Sequence, residues 1–246
     1  MKFEMMDTGP YLESVHHALD EVILQELDTE KPVIRFWYRK KPAVPLGRFQ
    51  SFTDEVNQRY VESKKIDVVR RITGGGAMYV EPGKVITYSL YLPRSFVPDD
   101  FEESYRKLDS WAVEGLRDMG IDARHEPLND IVCEEGKLGG SAQLRKRDRV
   151  LHHATLNYNI SIEEMLKCLR IGKDKISDKA IKSAEKRVSA IGEKTDLSVK
   201  EVIDQLKKAF GNNYGVERIS LNDHTLEKAE ELAKYKFSSD EWNKKL

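Results

Sequence analysis

RRITGGGAMY, residues 70–79, sets two arginines against three consecutive glycines, and its reading decides how the rest of the chain is understood. The preceding KKIDVV (64–69) alternates charge with β-branched residues and reads as the end of a strand, so the glycines fall where a strand gives way to an exposed loop. Residues without Cβ let backbone approach a ligand and can turn their amides toward an anion. Arginines add fixed positive charge and forked donors suited to carboxylate or phosphate. Taken alone, the same residues also make a flexible turn beside a solvated basic pair. The choice between the two rests on what stands elsewhere in the chain.

Working outward, VITYSLYL (85–92) is the clearest strand, so the glycine loop lies between two strands. Upstream, residues 10–27 place Leu12, Val15, His16, Leu19, Val22, Ile23 and Leu27 at helical spacing. His16 and His17 read as packing or surface residues of that helix. VIRFWY (33–38) and PAVPLGRFQ (42–50) read as strands, and residues 54–64 as a helix. Downstream, residues 99–119 predict a helix stopped at Gly120. The stretches 131–133, 138–143 and 152–160 predict a β-meander. Ser161 with Glu164 three residues on caps a further helix, and two more are expected over 199–210 and 225–235. The fold expected is α+β, with mixed or antiparallel sheets flanked by helices, as one domain over residues 1–246.

Composition narrows the function classes. The 246 residues carry 41 Lys plus Arg against 42 Asp plus Glu, which gives no reason to expect a dedicated nucleic-acid binder. No apolar run approaches the roughly 18 residues a membrane span needs. Two cysteines, Cys133 and Cys168, form neither a metal-ligand spacing nor a disulfide framework, and no charged-then-apolar leader opens the chain. A cytoplasmic location is expected.

A second chemical cluster runs from Asn129 to His153. Lys137 is followed by Leu138, Gly139, Gly140, Ser141 and Ala142, small residues that leave space beside a strand, so the lysine either faces a pocket or is an ordinary solvated side chain. Asn129-Asp130 before it is a turn-former or a ligand pair. After it come His152 and His153, which alternate across a strand and must face opposite ways.

These residues resemble lipoate protein ligases, within the wider group of biotin ligases and octanoyltransferases. RRITGGGA, Asn129-Asp130, Lys137-Leu-Gly-Gly-Ser-Ala and His152-His153-Ala-Thr-Leu are similar in order and spacing to that family's signatures, and segments at 32–50, 183–191 and 238–243 extend the likeness over nearly the whole chain. The resemblance implies a two-step reaction with ATP, Mg²⁺ and lipoate, giving lipoyl-AMP, then acylation of a lysine on a lipoyl domain. It implies that Lys137 is an electrostatic clamp rather than a nucleophile. It places Gly74, Gly75 and Gly76 against the ligand, Ala77, Met78 and Tyr79 near adenine, Arg70 near the acyl carboxylate, and Gly140, Ser141, Ala142, His153 and Ala154 along the lipoyl-AMP pocket. Asp130 is the candidate Mg²⁺ or ribose contact, with Asn129 beside it, and Lys182–Ile191 the closing segment, with Ser183 and Arg187 as contacts. Acceptors implied are the E2 lipoyl domains of 2-oxoacid dehydrogenases and the glycine-cleavage H protein.

Two departures stand out. Met78-Tyr79-Val80-Glu81 replaces the family's Val-Tyr-His-Asp, so contacts of that histidine do not carry over. The chain also stops soon after Trp242, from which we expect a separate accessory-domain protein to assist adenylation. Competing readings are a cysteine-dependent octanoyl or lipoyl transferase and a non-catalytic lipoate or lipoyl-AMP carrier.

Overall fold

The chain is seen in a computed structural model that describes residues 2–28, 30–170 and 188–246. Strands β1 (Phe3–Tyr11), β2 (Val33–Arg39), β5 (Val85–Pro93), β6 (Arg124–Glu126), β7 (Asp130–Cys133), β8 (Gly136–Arg145), β9 (Arg149–Asn157) and β10 (Val216–Arg218) form one sheet in the order β10-β1-β2-β5-β9-β8-β7-β6. Pairing is parallel at β10-β1-β2 and antiparallel elsewhere, so the sheet is mixed, as expected. A second sheet pairs β3 (Ala43–Leu46) with β4 (Asp67–Arg70) in parallel.

The helices are α1 (Glu13–Glu26), α2 (Phe52–Glu55), α3 (Gln58–Lys64), α4 (Phe101–Asp118), α5 (Ile162–Cys168), α6 (Val199–Tyr214), α7 (Asp223–Leu232) and α8 (Asp240–Asn243). Strand alternation sorts the core between them. Ile34, Phe36, Tyr88 and Leu90 point to the face covered by α4 and α6, where Trp111 and Phe210 meet edge-on at 5.0 Å. Val33, Tyr91 and Leu151 point to the other face, covered by α1 and α7. The small sheet packs its own core, with Leu46, Val56, Val61 and Cys168, beside that second face. No helix among the described residues is long and apolar enough to cross a membrane.

The sequence reading errs in three places. The first helix starts at Glu13, because residues 3–11 are a strand whose alternation is interrupted by Gly9-Pro10. The helix expected over 54–64 is two short ones, split where Val56 leaves the helix to bridge Leu169. The meander is longer by β6, and β10 adds an edge strand of three residues, too short to carry a pattern.

Candidate functional site

A cavity of about 350 Å³ opens between the second face of the large sheet and the glycine loop that leaves β4. Its floor is a single row across four strands: the register pairs Gly140 with Thr155, Thr155 with Thr87, and Thr87 with Trp37, and all four line the cavity. Three interstrand steps of about 4.8 Å make that row about 14 Å long.

Lys137 stands at one end. Its Nζ lies 2.7 Å from Asp130 Oδ1, and both side chains are partly open to solvent. A Cβ on Gly140 would meet Lys137 Nζ at 3.0 Å and Asp130 Oδ1 at 3.3 Å, so glycine at this position gives the ion pair its place over the floor. Asn129 lines the cavity and donates through Nδ2 to the Ser141 carbonyl, leaving its own amide oxygen as an acceptor. Val188 bridges Lys137 and also lines the cavity, while the Ser189 amide donates to the Lys137 carbonyl at 2.9 Å. Ser183 and Arg187, with the rest of 182–187, lie outside the described residues.

The roof is made by Gly75, Gly76, Ala77, Met78 and Tyr79. It is held from inside by Arg71, whose guanidinium donates to the carbonyls of Gly74 (2.7 Å), Gly76 (2.9 Å) and Pro45 (3.3 Å). Burial pulls the Arg71 pKa down to about 10, which leaves it charged at neutral pH. Gly75 adopts φ +93°, and a Cβ there would lie 2.8 Å from Arg71 Nη2, so the turn requires glycine. Gly74 gives its carbonyl to Arg71 and does not line the cavity.

Arg70 is the clearest correction to the sequence reading. Fully buried and pointing away from the cavity, it donates to the carbonyls of Gly47 (3.0 Å), Gln50 (2.6 Å), Trp242 (3.1 Å) and Asn243 (2.8 Å). All three of its nitrogens are engaged with backbone and it does not line the cavity, so it is not placed to meet a carboxylate there. Adjacent residues at a strand end face opposite ways, and Arg71 is the one that turns to the site. Ala154 is likewise displaced: it packs in the core under α4, on the far side of β9.

His153 faces the cavity and His152 the opposite core. His153 Nδ1 donates to Asp20 Oδ2 at 3.0 Å, and its Nε2 accepts from the Thr73 hydroxyl at 2.8 Å, which fixes the tautomer. Burial outweighs the attraction of Asp20 and lowers its pKa to about 4, so it is neutral at physiological pH. Asp20 in turn accepts from Arg35 (2.8 Å), Ser89 (2.8 Å) and Tyr91. Burial pushes its carboxyl up, but Arg35 and His153 more than offset this and hold it below the usual range.

The sequence reading missed Glu13, His17, Trp37, Arg39 and Thr87, all of which line the cavity from α1, β2 and β5. The available signal was weak: Glu13 and Asp20 flank the helical face that the reading assigned to the core, and both are buried. Neither cysteine lines the cavity; burial pushes the Cys168 thiol up to about 12, and Cys133 is buried on β7.

Among the described residues no cluster of three or more His, Cys, Asp or Glu forms a metal cage. The donor set near Lys137, one carboxylate and one amide oxygen, fits a Mg²⁺ held mainly by phosphate oxygens and water.

The sequence pattern of the lipoyl protein ligase A/B catalytic domain matches residues 13–211. Lipoate–protein ligase 1 of Staphylococcus aureus is 32% identical over 231 residues, 92% of this chain and 68% of that one. Lipoate-protein ligase A subunit 1 of Thermoplasma acidophilum is 31% identical over 241 residues, 92% and 90% of the two chains. Among solved structures, the bipartite lipoate protein ligase of T. acidophilum, studied with its E2 lipoyl domain, superposes with TM-score 0.88 at 28% identity, covering 99% of this chain and 95% of that one. A T. acidophilum protein with bound lipoic acid gives 0.84 at 25% identity, covering 100% of both chains. A lipoate-protein ligase A bound with ATP gives the same two values, covering 99% of both. The chain is a member of the lipoyl protein ligase A/B catalytic-domain family.

Proposed function

We propose that this chain is the catalytic subunit of a lipoate protein ligase. The observation that carries the reading is the Lys137–Asp130 pair held over Gly140, at one end of a cavity floored by a 14 Å row (about three interstrand spacings) and roofed by the glycine loop. A medium-length acyl chain lies along that row with its carboxyl group at Lys137. The lipoate carboxylate attacks the α-phosphate of ATP and expels pyrophosphate. The ε-amine of an acceptor lysine then attacks the acyl carbonyl and releases AMP.

In both steps negative charge grows on oxygens beside Lys137, and a fixed ammonium stabilises that charge more than the ground state. The glycine loop, whose carbonyls are drawn inward by Arg71, lets the adenylate lie against backbone, with Ala77, Met78 and Tyr79 toward the adenine. Ser141, Ala142 and His153 border the acyl chain. Asp130 and the amide oxygen of Asn129 would hold Mg²⁺, which neutralises phosphate charge when bound. The likenesses to a lipoic-acid-bound structure and to an ATP-bound ligase support these substrates.

A T. acidophilum relative is named subunit 1 of a lipoate-protein ligase A, and a T. acidophilum structure is of a bipartite lipoate protein ligase and its E2 lipoyl domain. That likeness supports a separate accessory protein and lipoyl domains as acceptors; our proposal further takes the chain as a single catalytic domain working in the cytoplasm, with the glycine-cleavage H protein as another acceptor. The test is mass measurement of an E2 lipoyl domain. Transfer from preformed lipoyl-AMP is expected from the chain alone, and efficient use of lipoate, ATP and Mg²⁺ only with the accessory protein. No mass shift from lipoyl-AMP would sink the reading. Full activity on lipoate without the second protein would remove the partner.

A further inference from the structure

Val80-Glu81 stands where the family has His-Asp, and both residues fasten one wall of the cavity. Val80 and Ala43 exchange two backbone bonds of 3.0 Å, and the Met78 amide donates to the Pro45 carbonyl at 3.2 Å, so residues 78–80 add to the edge of β3. The Val80 side chain is fully buried with Ala43 and Val85, and Met78 and Ile160 pack beside them. A histidine there would place ring nitrogens among apolar groups. Glu81 reaches across to α5. Its side chain is 13% exposed; Oε2 accepts from the Ser161 amide at 2.8 Å, and Oε1 from Lys84 Nζ at 3.3 Å. Ser161 is the N-cap of α5, where the amide has no partner within the helix.

The position of α5 matters to the cavity. Met165 within it, Leu169 just after it and Ile160 just before it all line the space, and they pack in the same clusters as Ala77, Met78 and Tyr79 of the roof. Its far end is fastened to α2 and α3 repeatedly. Leu169 bridges Val56, the Arg170 amide donates to Glu55 at 2.9 Å, and Asn57 bonds the Cys168 and Lys167 carbonyls at 2.8 and 2.9 Å. Among the described residues, two side chains fasten its near end: Asn157 accepts from the Ile160 amide at 2.9 Å, and Glu81 holds Ser161. Of the two, Glu81 is the tie to the roof.

Resting on the reading above that the adenine lies toward Ala77–Tyr79, we propose that Glu81 is a positioning residue for the nucleotide half of the adenylate. By holding Ser161 it sets how closely α5 stands against residues 77–79, and so how tightly the apolar walls grip the base. Neither Glu81 nor Ser161 borders the cavity. Dispersion contact falls steeply with distance: a gap of roughly 0.5–1 Å already forfeits a quarter to a half of it. Without Glu81 the helix keeps its far attachments and its near end moves away from the roof. The acyl row on β2, β5, β9 and β8, and Lys137 with it, is untouched.

Single-turnover transfer from preformed lipoyl-AMP to an E2 lipoyl domain, followed against lipoyl-AMP concentration, tests this, with calorimetric binding of free lipoate beside it. Glu81→Ala should raise the half-saturating lipoyl-AMP concentration about tenfold and leave the maximal rate and lipoate affinity within about twofold, because the base is held alike in ground and transition states. Glu81→Gln, which keeps an oxygen for the Ser161 amide, should match the unmodified chain. Ser161→Pro suits the local φ of −74° and removes the same bond from the other side, so it should reproduce the shift and decides the matter if Glu81→Ala does not fold. An unchanged half-saturation in the folded variants, a maximal rate or lipoate affinity that falls along with it, or failure of Glu81→Gln to restore it overturns the inference. No transfer by the unmodified chain overturns the ligase reading itself.

Discussion

His152 and His153 are neighbours on β9, and each is buried against an aspartate from a helix, yet the two pairs do different work. On the α4 face, Asp109 accepts from His152 Nε2 and the Tyr88 hydroxyl, both at 2.7 Å, and from Ser141. His152 Nδ1 accepts from Gln143 at 3.2 Å, and through Gln143 the network runs outward to Ser104 and Arg145, touching the cavity wall only at Ser141. On the α1 face, the Asp20–His153 pair runs on through Thr73 to Arg71, and from Arg71 to the carbonyls of the glycine loop. A buried histidine–aspartate pair therefore says nothing by itself about function. What separates the two is which residue faces the cavity: on the α1 face the histidine itself does, and its chain continues to the roof, whereas His152 faces the opposite core.

The comparison breaks most directly at the aspartates. Asp109→Ala and Asp20→Ala should each cost about 3–5 kcal/mol in denaturant unfolding, because each strands several buried donors. The milder Asp109→Asn should keep lipoate binding and Asp20→Asn should weaken it. Equal losses of binding would erase the distinction between the faces.

Acid probes the ligand face next. His153 has a folded pKa of about 4 against 6.5 when unfolded, so the unfolded chain takes up the proton first. Its contribution is complete above pH 6.5 and declines as pH falls to about 4, by roughly 3 kcal/mol in all. Asp20 and Asp109, both held below the usual carboxylate range, lose their contributions only at lower pH still, as pH falls from about 4 through their depressed folded values. Unfolding free energies measured between pH 7 and 4 should therefore slope less in His153→Gln, and an unchanged slope would count against the buried neutral imidazole.

Lys137→Ala should slow transfer from preformed lipoyl-AMP about a hundredfold, the usual scale for one lost electrostatic contact to a transition state, and leave unfolding nearly untouched because the lysine is partly exposed. Retained transfer would remove the clamp. The smallest effects are expected at Cys133→Ser and Cys168→Ser: about 1 kcal/mol of stability, from a hydroxyl in an apolar core, and full transfer. Loss of transfer in either would restore the thiol mechanism.

Much of this was legible in the sequence, and the rest was hidden for identifiable reasons. Strand β5 is the clearest strand in the sequence and β8 and β9 fall in the expected meander, and the glycine, lysine and histidine motifs lie on or beside them, so both the sheet's centre and the Lys137 end of the cavity could be read. Period-two logic told that His152 and His153 diverge. It could not tell which of Arg70 and Arg71 faces the ligand, because that depends on how β4 sits against the C-terminal helix. The far end of the cavity was opaque. His17 reads as a packing or surface residue of the first helix, Glu13 carries no mark of its own, and Trp37 lies in an expected strand that stops short of Arg39; only the packing of α1 over β2 brings them together.

The bonds that Arg70 makes deserve one more consequence. A single side chain ties the 47–50 turn and the 242–243 backbone to the base of the glycine loop, and the Phe52 amide holds the Leu246 carbonyl nearby at 2.8 Å. Residues 242–246 are thus part of what holds the roof in place, although none of them borders the ligand cavity.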